Sequence, residues 1–151
     1  MSEGSCIIKN MRVMIDTNII FSAMLYPKGG IAALFEEILQ KHIICICTFS
    51  IEELQIAVQR KFPERLKEID DFLKELSYEL VYTPQKIDGE NMPHVRDKKD
   101  YPILAAAIIA DVDILLTGDK DLLTVEIIRP EILNSKNYRE KYLEAEPTET
   151  E

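Results

Sequence analysis

Short apolar runs alternate along the chain with longer segments in which apolar residues recur every three or four positions. The runs at Arg12–Ile15, Ile43–Cys47 and Ile114–Leu116 predict strands that are covered on both faces, because such strands are continuously apolar. Residues 31–41 place apolar side chains on one helical face, which predicts an amphipathic helix. Strands that alternate with helices are typical of an α/β fold, and we predict a mainly parallel sheet of five strands.

Helix-start residues and prolines predict the remaining elements. Ser50 precedes Glu53 by three positions, as in a capping box, so we expect Ser50 to cap a helix that runs to about Lys61. Pro63 suits the first turn of the next helix, and Pro130 is expected to stop the fifth strand. Further predicted elements are strands at residues 78–82 and 125–128, helices at 102–111 and 138–143, and a loop at 83–99.

The length of 151 residues favours one domain of ordinary size. With 46% hydrophobic and 30% charged residues, the composition excludes collagen-like and wholly disordered proteins. No apolar run approaches the roughly 18–20 residues of a membrane span, and the first residues lack the pattern of a signal peptide. We expect a soluble, cytoplasmic protein without a membrane partner, with an extension at residues 1–10, a folded domain at 11–143 and an acidic, disordered tail at 144–151.

The net charge of -9 and the pI of about 4.8 argue against a broad basic surface for nucleic acid. Residues 140–151 hold five glutamates and one lysine, so part of this charge lies in the tail. The three cysteines, Cys6, Cys45 and Cys47, are an odd number, and we interpret them as reduced thiols. Core packing of Cys45 and Cys47 is favoured over a metal site, because a thiolate site needs further ligands nearby.

Acidic residues stand where an α/β sheet binds its ligands. Asp16 directly follows the first predicted strand, and Asp119 follows the fourth. Glu53 lies early in the helix after the second strand, and Asp100 opens the alanine-rich helix after the long loop. Ligands of open α/β sheets bind beyond the carboxyl ends of the strands. We therefore expect these acids to meet at that end of the sheet.

Converging carboxylates repel one another, and a divalent cation relieves that repulsion. Mg²⁺ and Mn²⁺ prefer oxygen ligands and couple a few carboxylates to a phosphate group. Two such ions about 3.5–4 Å apart can activate water and stabilise the leaving oxygen in phosphodiester cleavage. The sequence has no His-Glu-x-x-His, Cys-x-x-Cys or P-loop motif, which disfavours the chemistry of those sites.

Four acidic motifs, taken together, resemble those of PIN-domain nucleases over about residues 11–133. They are Met-Ile-Asp16-Thr17-Asn18, Glu53-Leu54, Asp100 at the start of the alanine-rich helix, and Thr117-Gly118-Asp119-Lys120-Asp121. The stretch Arg96-Asp97-Lys98-Lys99-Asp100 is similar to one found in the predicted toxin branch of the family, the VapC-type ribonucleases.

The resemblance implies a three-layer α/β/α sandwich and a Mg²⁺- or Mn²⁺-dependent endoribonuclease that hydrolyses phosphodiester bonds in RNA. By this analogy Asp16 is the central metal ligand, Asp100 and Asp119 complete one metal site, and Glu53 serves a second ion or orients water. The resemblance also implies supporting roles for Asn18, Thr117, Asp97 and Asp121. The toxin branch further implies a homodimer and an antitoxin partner.

Simpler interpretations stand beside these. Asp16 alone suits a turn, and Asp119 with Asp121 suits a helix cap. Glu52 is adjacent to Glu53, and only one of the two can point straight at the site. Arg96 and Lys120 are candidates for binding a substrate phosphate, although a solvated or ion-paired role explains them equally well.

The main alternative function is a catalytically inactive PIN-like module for binding or assembly. A receiver-like or phosphatase-like domain is disfavoured. A phosphatase of that kind would show Asp-x-Asp where this chain has Asp16-Thr17-Asn18.

Overall fold

Five strands form a single parallel sheet in the computed structural model, which describes residues 11–87 and 89–143. The strands lie in the order β3-β2-β1-β4-β5, and all four pairings are parallel. They are β1 (Arg12–Ile15), β2 (Ile43–Cys47), β3 (Glu79–Val81), β4 (Ile114–Leu116) and β5 (Glu131–Leu133). The predicted α/β class and five-stranded parallel sheet are confirmed. The predicted extension at 1–10, Cys6 and the tail at 144–151 lie outside the described residues.

Helices connect the strands, and three short 3₁₀ turns accompany them within the described ranges. The helices are α1 (Thr17–Leu25), α2 (Gly30–Lys41), α3 (Thr48–Lys61), α4 (Leu66–Glu75), α5 (Tyr101–Ile109), α6 (Lys120–Leu123) and α7 (Ser135–Tyr142). The 3₁₀ turns are Pro63–Arg65, Gly89–Asn91 and Lys98–Asp100. The last of these turns leads directly into α5.

The sheet separates two hydrophobic clusters, because successive side chains of a strand point to opposite faces. On one face Val13 and Ile15 pack with apolar residues of α1, α2, α3, α4 and α7. On the other face Met14 packs with α5 and with Leu122 of α6. Helices thus cover both faces of the sheet, as the predicted three-layer sandwich requires.

Cys45 and Cys47 share the face of the sheet that packs against α5, and both are fully buried free thiols. Burial, together with the neighbouring Glu79 carboxylate, raises the pKa of the Cys45 thiol to about 12. The predicted core-packing role of these two residues is confirmed.

The position of the fifth strand corrects the sequence prediction. Residues 125–128 form no strand, and Ile128 is 98% exposed. The strand begins instead at Glu131, whose N–H donates to the Asp113 carbonyl. Pro130 therefore precedes β5 rather than ending it, a position where the missing N–H of proline costs no ladder hydrogen bond.

The start of α3 is a second correction. Ser50 is a buried residue inside the helix rather than its cap, and α3 begins at Thr48 without a side-chain cap from Cys47. Two reciprocal hydrogen bonds hold this start instead: Phe49 N–H donates to Thr83 Oγ1, and Thr83 N–H donates to Thr48 Oγ1, each over 3.0 Å. The segment after β3 thus caps α3 from a distance in sequence.

The described chain has no single helix that is long and apolar enough to cross a membrane. Only the pair α1 and α2, bent by 111° at the break between them, meets the length and composition of a span. The apolar residues of both helices pack into the core.

Candidate functional site

Two neighbouring strands bring Asp16 and Asp119 to the same end of the sheet. Asp16 immediately follows β1, and Asp119 stands three residues after the end of β4, the strand that pairs with β1. The Asp16 N–H donates to the Leu116 carbonyl over 3.0 Å, which continues the pairing of the two strands into the site. The spatial proximity predicted from the strand ends is therefore present.

Thr117 connects these two aspartates from a fully buried position. Its hydroxyl donates to Asp16 Oδ2 over 2.6 Å and accepts from the Asp119 N–H over 3.0 Å. One side chain thereby orients the Asp16 carboxylate and the turn that carries Asp119. Thr117 thus holds both aspartates in position through its hydroxyl group.

Asp16 is also the N-cap of α1, because its Oδ1 accepts from the Thr17 N–H over 2.7 Å. Burial raises the pKa of Asp16, the hydrogen bonds from Thr117 and Thr17 lower it, and the negative charges of Asp119 and Glu53 raise it. The net effect is a raised pKa. Asp16 therefore caps α1 and also interacts with the other acidic residues.

Asp100 is the aspartate whose pKa is raised most among the candidate site residues. Burial, a carboxyl hydrogen bond to Asp119 and the charges of Asp119, Asp97 and Asp16 raise its pKa to about 7. Its Oδ2 is buried and has no hydrogen-bond partner within residues 11–87 and 89–143. A buried acceptor without a donor calls for a ligand, and a cation is the natural one beside other carboxylates.

Asp97 and Asp121 extend the cluster on the side of the long loop. Carboxylate oxygens of Asp97, Asp100 and Asp121 lie within 4.8 Å of one another. Asp97 caps the 3₁₀ turn through the Lys99 N–H, and the Asp121 N–H donates to Asp119 Oδ1 over 2.8 Å. We call the set Asp16, Asp97, Asp100, Asp119 and Asp121 the acidic site.

The remaining candidates lie around the acidic site. Glu53 is exposed, but its charge acts on Asp16, whereas Glu52 lines an outer groove between α3 and α4. Glu53 is thus the one of the two glutamates that faces the acidic site. Asn18 and Lys120 are exposed, and so is Arg96, which forms an ion pair with Asp121.

The donor set suits a hard divalent cation. Each of the five side chains of the acidic site offers oxygen, the ligand that Mg²⁺ and Mn²⁺ prefer. Burial is the main cause of the raised pKa values of Asp16 and Asp100, and the negative charges of neighbouring acids raise them further. Among the described residues, Asp97, Asp100 and Asp121 are the acids whose carboxylate oxygens lie close enough together to hold one ion, whereas the predicted ligands Asp16 and Asp119 stand outside that group.

A family model for the PIN domain matches residues 12–121, a range that includes every acid of the site. The chain belongs to the PIN-domain family. PIN domains generally bind divalent metal ions, in agreement with the oxygen-rich donor set.

Among solved structures, this PIN domain is similar to a chain of the VapBC2 complex from Rickettsia felis, which was crystallised bound to a DNA fragment from its promoter. The two chains share 22% sequence identity with a TM-score of 0.62, over 82% of this chain and 98% of the other. At this identity the likeness shows a shared fold. None of the curated proteins compared by sequence matches this chain.

Thr48 and Thr83 position the PIN-domain helix that carries Glu53, and no motif in the sequence predicted this role. Their reciprocal hydrogen bonds fix the start of α3, five residues before Glu53. The two threonines are 35 positions apart, so no local pattern could pair them. Thr48 directly after an apolar strand is the only signal the sequence offered.

Proposed function

We propose that this PIN domain is a metal-dependent endoribonuclease that hydrolyses phosphodiester bonds in RNA. The observation that carries the proposal is the buried Asp100 Oδ2, which has no hydrogen-bond partner among the described residues and lies in a carboxylate whose pKa is raised by burial and by the charges of neighbouring aspartates. Membership of the PIN-domain family supports the same reaction class.

Each residue has a role that its position supports. Asp16 is the central ligand, because Thr117 and the Thr17 N–H fix its carboxylate between β1 and β4. Asp100 and Asp119 complete the coordination, and the exposed Glu53 orients the attacking water or serves a second ion. Asp97 and Asp121 support these ligands through the turns that they cap or brace.

A bound Mg²⁺ or Mn²⁺ would polarise the phosphate and favour ionisation of water. The protein supplies orientation, since Thr117 and the helix caps hold the carboxylates before substrate arrives. We assign Asn18, which is exposed in the first turn of α1, a supporting role beside Asp16. The scissile phosphodiester is then presented to water at the carboxyl end of the sheet.

We further propose a toxin role in the cytoplasm, with a homodimer and an antitoxin protein as partners. The structural similarity to a chain of the VapBC2 complex supports a partner protein of this kind. Light scattering of the purified chain should give twice the monomer mass of 17.4 kDa. A monomeric mass at micromolar concentration would contradict the homodimer.

The nuclease activity is tested with purified protein and a mixed single-stranded RNA, in Mn²⁺ or Mg²⁺ and in EDTA. We expect cleavage only with metal, and a loss of at least about 100-fold in Asp16→Asn, since even residues that merely support metal ligands cost 10- to 100-fold. The matched control is Asp71→Asn, which removes an exposed α4 carboxylate paired with Lys67. It should cleave like the parent protein.

Two results would contradict the proposal. Cleavage that persists in excess EDTA would show that the activity does not depend on metal. A folded parent protein that neither cleaves RNA nor binds Mn²⁺ would favour the inactive binding or assembly module.

A further inference from the structure

Arg96 lies at the edge of the acidic site, where a two-point ion pair holds it to Asp121. Its Nε donates to Asp121 Oδ1 over 2.8 Å, and its Nη2 donates to Asp121 Oδ2 over 3.1 Å. The Asp121 side chain is only 20% exposed, whereas that of Arg96 is 81% exposed. The guanidinium is therefore anchored on one side and open to solvent on the other.

The open side keeps hydrogen-bond donors that can bind a phosphate. A guanidinium has five N–H donors in a planar fork, and the pair with Asp121 uses two of them. The remaining donors, those on Nη1 among them, match the spacing of two phosphate oxygens. Arg96 can thus bind a phosphate without releasing Asp121.

The loop backbone next to Arg96 is also anchored, because Val95 is buried against α5 and its neighbours. Lys98, Lys99 and Lys120 are exposed like Arg96, but none of them has an ion pair within residues 11–87 and 89–143 that would fix its position. A phosphodiester that approaches the acidic site meets negative charge from its carboxylates. A cation held beside these carboxylates would offset that repulsion.

We propose that Arg96 is the phosphate-binding residue that positions RNA at the acidic site, with Asp121 as the anchor that orients its guanidinium. The inference rests on the proposed ribonuclease function. It assigns to Arg96, rather than to Lys120, the main contact with the substrate backbone. Its ligand is a phosphodiester group of single-stranded RNA.

The matched control is Arg65, which forms an equally bidentate pair with Glu68 at the start of α4. Glu53 lies eight residues before the end of α3, or about 12 Å along the helix, and Arg65 follows beyond that end. Arg96→Gln and Arg65→Gln therefore remove the same charge and the same type of ion pair. Only Arg96→Gln removes a cation from the acidic site.

The first readout is steady-state cleavage of an RNA oligonucleotide in Mn²⁺. Arg96→Gln should raise KM about tenfold, since a hydrogen bond to a charged group contributes about one factor of ten, while kcat changes less than threefold. Arg96→Lys should recover part of the loss, and Arg65→Gln should match the parent. A fall in kcat with unchanged KM, or weaker Mn²⁺ binding, would overturn the inference.

The second readout is RNA binding in EDTA at low salt, in an Asp16→Asn background that prevents cleavage. Loss of one phosphate contact should reduce the slope of log K against log salt by about 0.7 in Arg96→Gln and not in Arg65→Gln. Equal slopes for both variants would overturn the inference and leave the nuclease proposal standing. An Arg96-dependent slope, combined with a parent protein that does not cleave RNA in Mn²⁺ or Mg²⁺, would overturn the nuclease proposal alone.

Discussion

At the scale of single residues, the acidic site depends on how buried polar atoms are paired. Thr117 satisfies Asp16 and the turn of Asp119 with one hydroxyl, whereas Asp100 keeps a buried oxygen without a donor among the described residues. The first arrangement is stabilising and the second costs free energy in the metal-free protein. The metal-free protein thus holds the carboxylates of the acidic site in place at some cost in its free energy of unfolding.

Thr117→Val should remove both hydrogen bonds while nearly keeping the side-chain volume. We expect a loss of about 1–3 kcal/mol in the free energy of unfolding and at least about tenfold in RNA cleavage. Thr117→Ser, which keeps the hydroxyl, is the control and should lose far less activity. Thermal unfolding and cleavage assays measure both quantities. Equal activity of the Val and Ser variants would contradict the orienting role of the hydroxyl.

The metal-free protein should lose stability as pH rises through the window from about 4 to about 7. The pKa of Asp100 is raised from 3.8 to about 7, chiefly by burial and by Asp119, so the folded state binds a proton that the unfolded state has released. The stabilisation is complete below the unfolded value and is lost as pH passes the folded value. The raised pKa of Asp16 acts in the same direction.

Asp100→Asn should therefore raise the Tm of the metal-free protein at pH 8 and change it little at pH 4. A gain of about 1 kcal/mol corresponds to about 2–4 °C in a chain of this size. Mn²⁺ should raise the Tm of the parent and not that of Asp100→Asn. Differential scanning calorimetry in EDTA at pH 4 and pH 8 measures the Tm of both proteins. An identical Tm difference at both pH values would contradict the titration.

At the scale of elements, the sequence predicted what is local and missed what depends on distant partners. The strand limits of β1, β2 and β4 follow from continuous apolar runs, and Asp16 and Asp119 were located by those strand ends. Residues 125–128 are also mostly apolar, like the strands that were predicted correctly. The strand that pairs with β4 nevertheless begins at Glu131, because Glu131 is the residue that lies in register with Ile114. Local pattern could not supply that register.

The start of α3 gives a second case and a prediction. Thr83→Val should remove the acceptor for the Phe49 N–H and destabilise the protein by about 1 kcal/mol, the usual cost of losing a helix cap. The Tm should fall by about 2–4 °C. Thr83→Ser keeps the hydroxyl and should stay close to the parent. Denaturation curves for the two variants that coincide would show that this hydroxyl does not stabilise α3.

At the scale of the whole molecule, the charge of -9 sets a limit on substrate binding. Phosphate contacts normally supply most of the affinity for nucleic acid, and an acidic protein has few to offer. A divalent cation at the acidic site would therefore contribute to RNA binding as well as to the reaction. The 22% identity with a chain of the VapBC2 complex, at a TM-score of 0.62, shows that this fold tolerates large changes in sequence.

RNA affinity should accordingly depend on the cation. In the Glu53→Gln variant, chosen to slow cleavage while Asp16, Asp100 and Asp119 remain, we expect EDTA to raise the Kd for single-stranded RNA at least about tenfold, or about 1.4 kcal/mol. Fluorescence anisotropy at constant ionic strength measures the change. A Kd that is equal in Mn²⁺ and in excess EDTA would contradict a cation-mediated contact.

Titration of Mn²⁺ into the metal-free protein, followed by the electron paramagnetic resonance of the free ion, tests most directly whether the acidic site is one cation centre. We expect the parent protein and Asp71→Asn to bind Mn²⁺ alike and Asp16→Asn to lose at least about tenfold in affinity. Equal Mn²⁺ binding by the parent and Asp16→Asn, or no binding by the folded parent, would contradict this expectation.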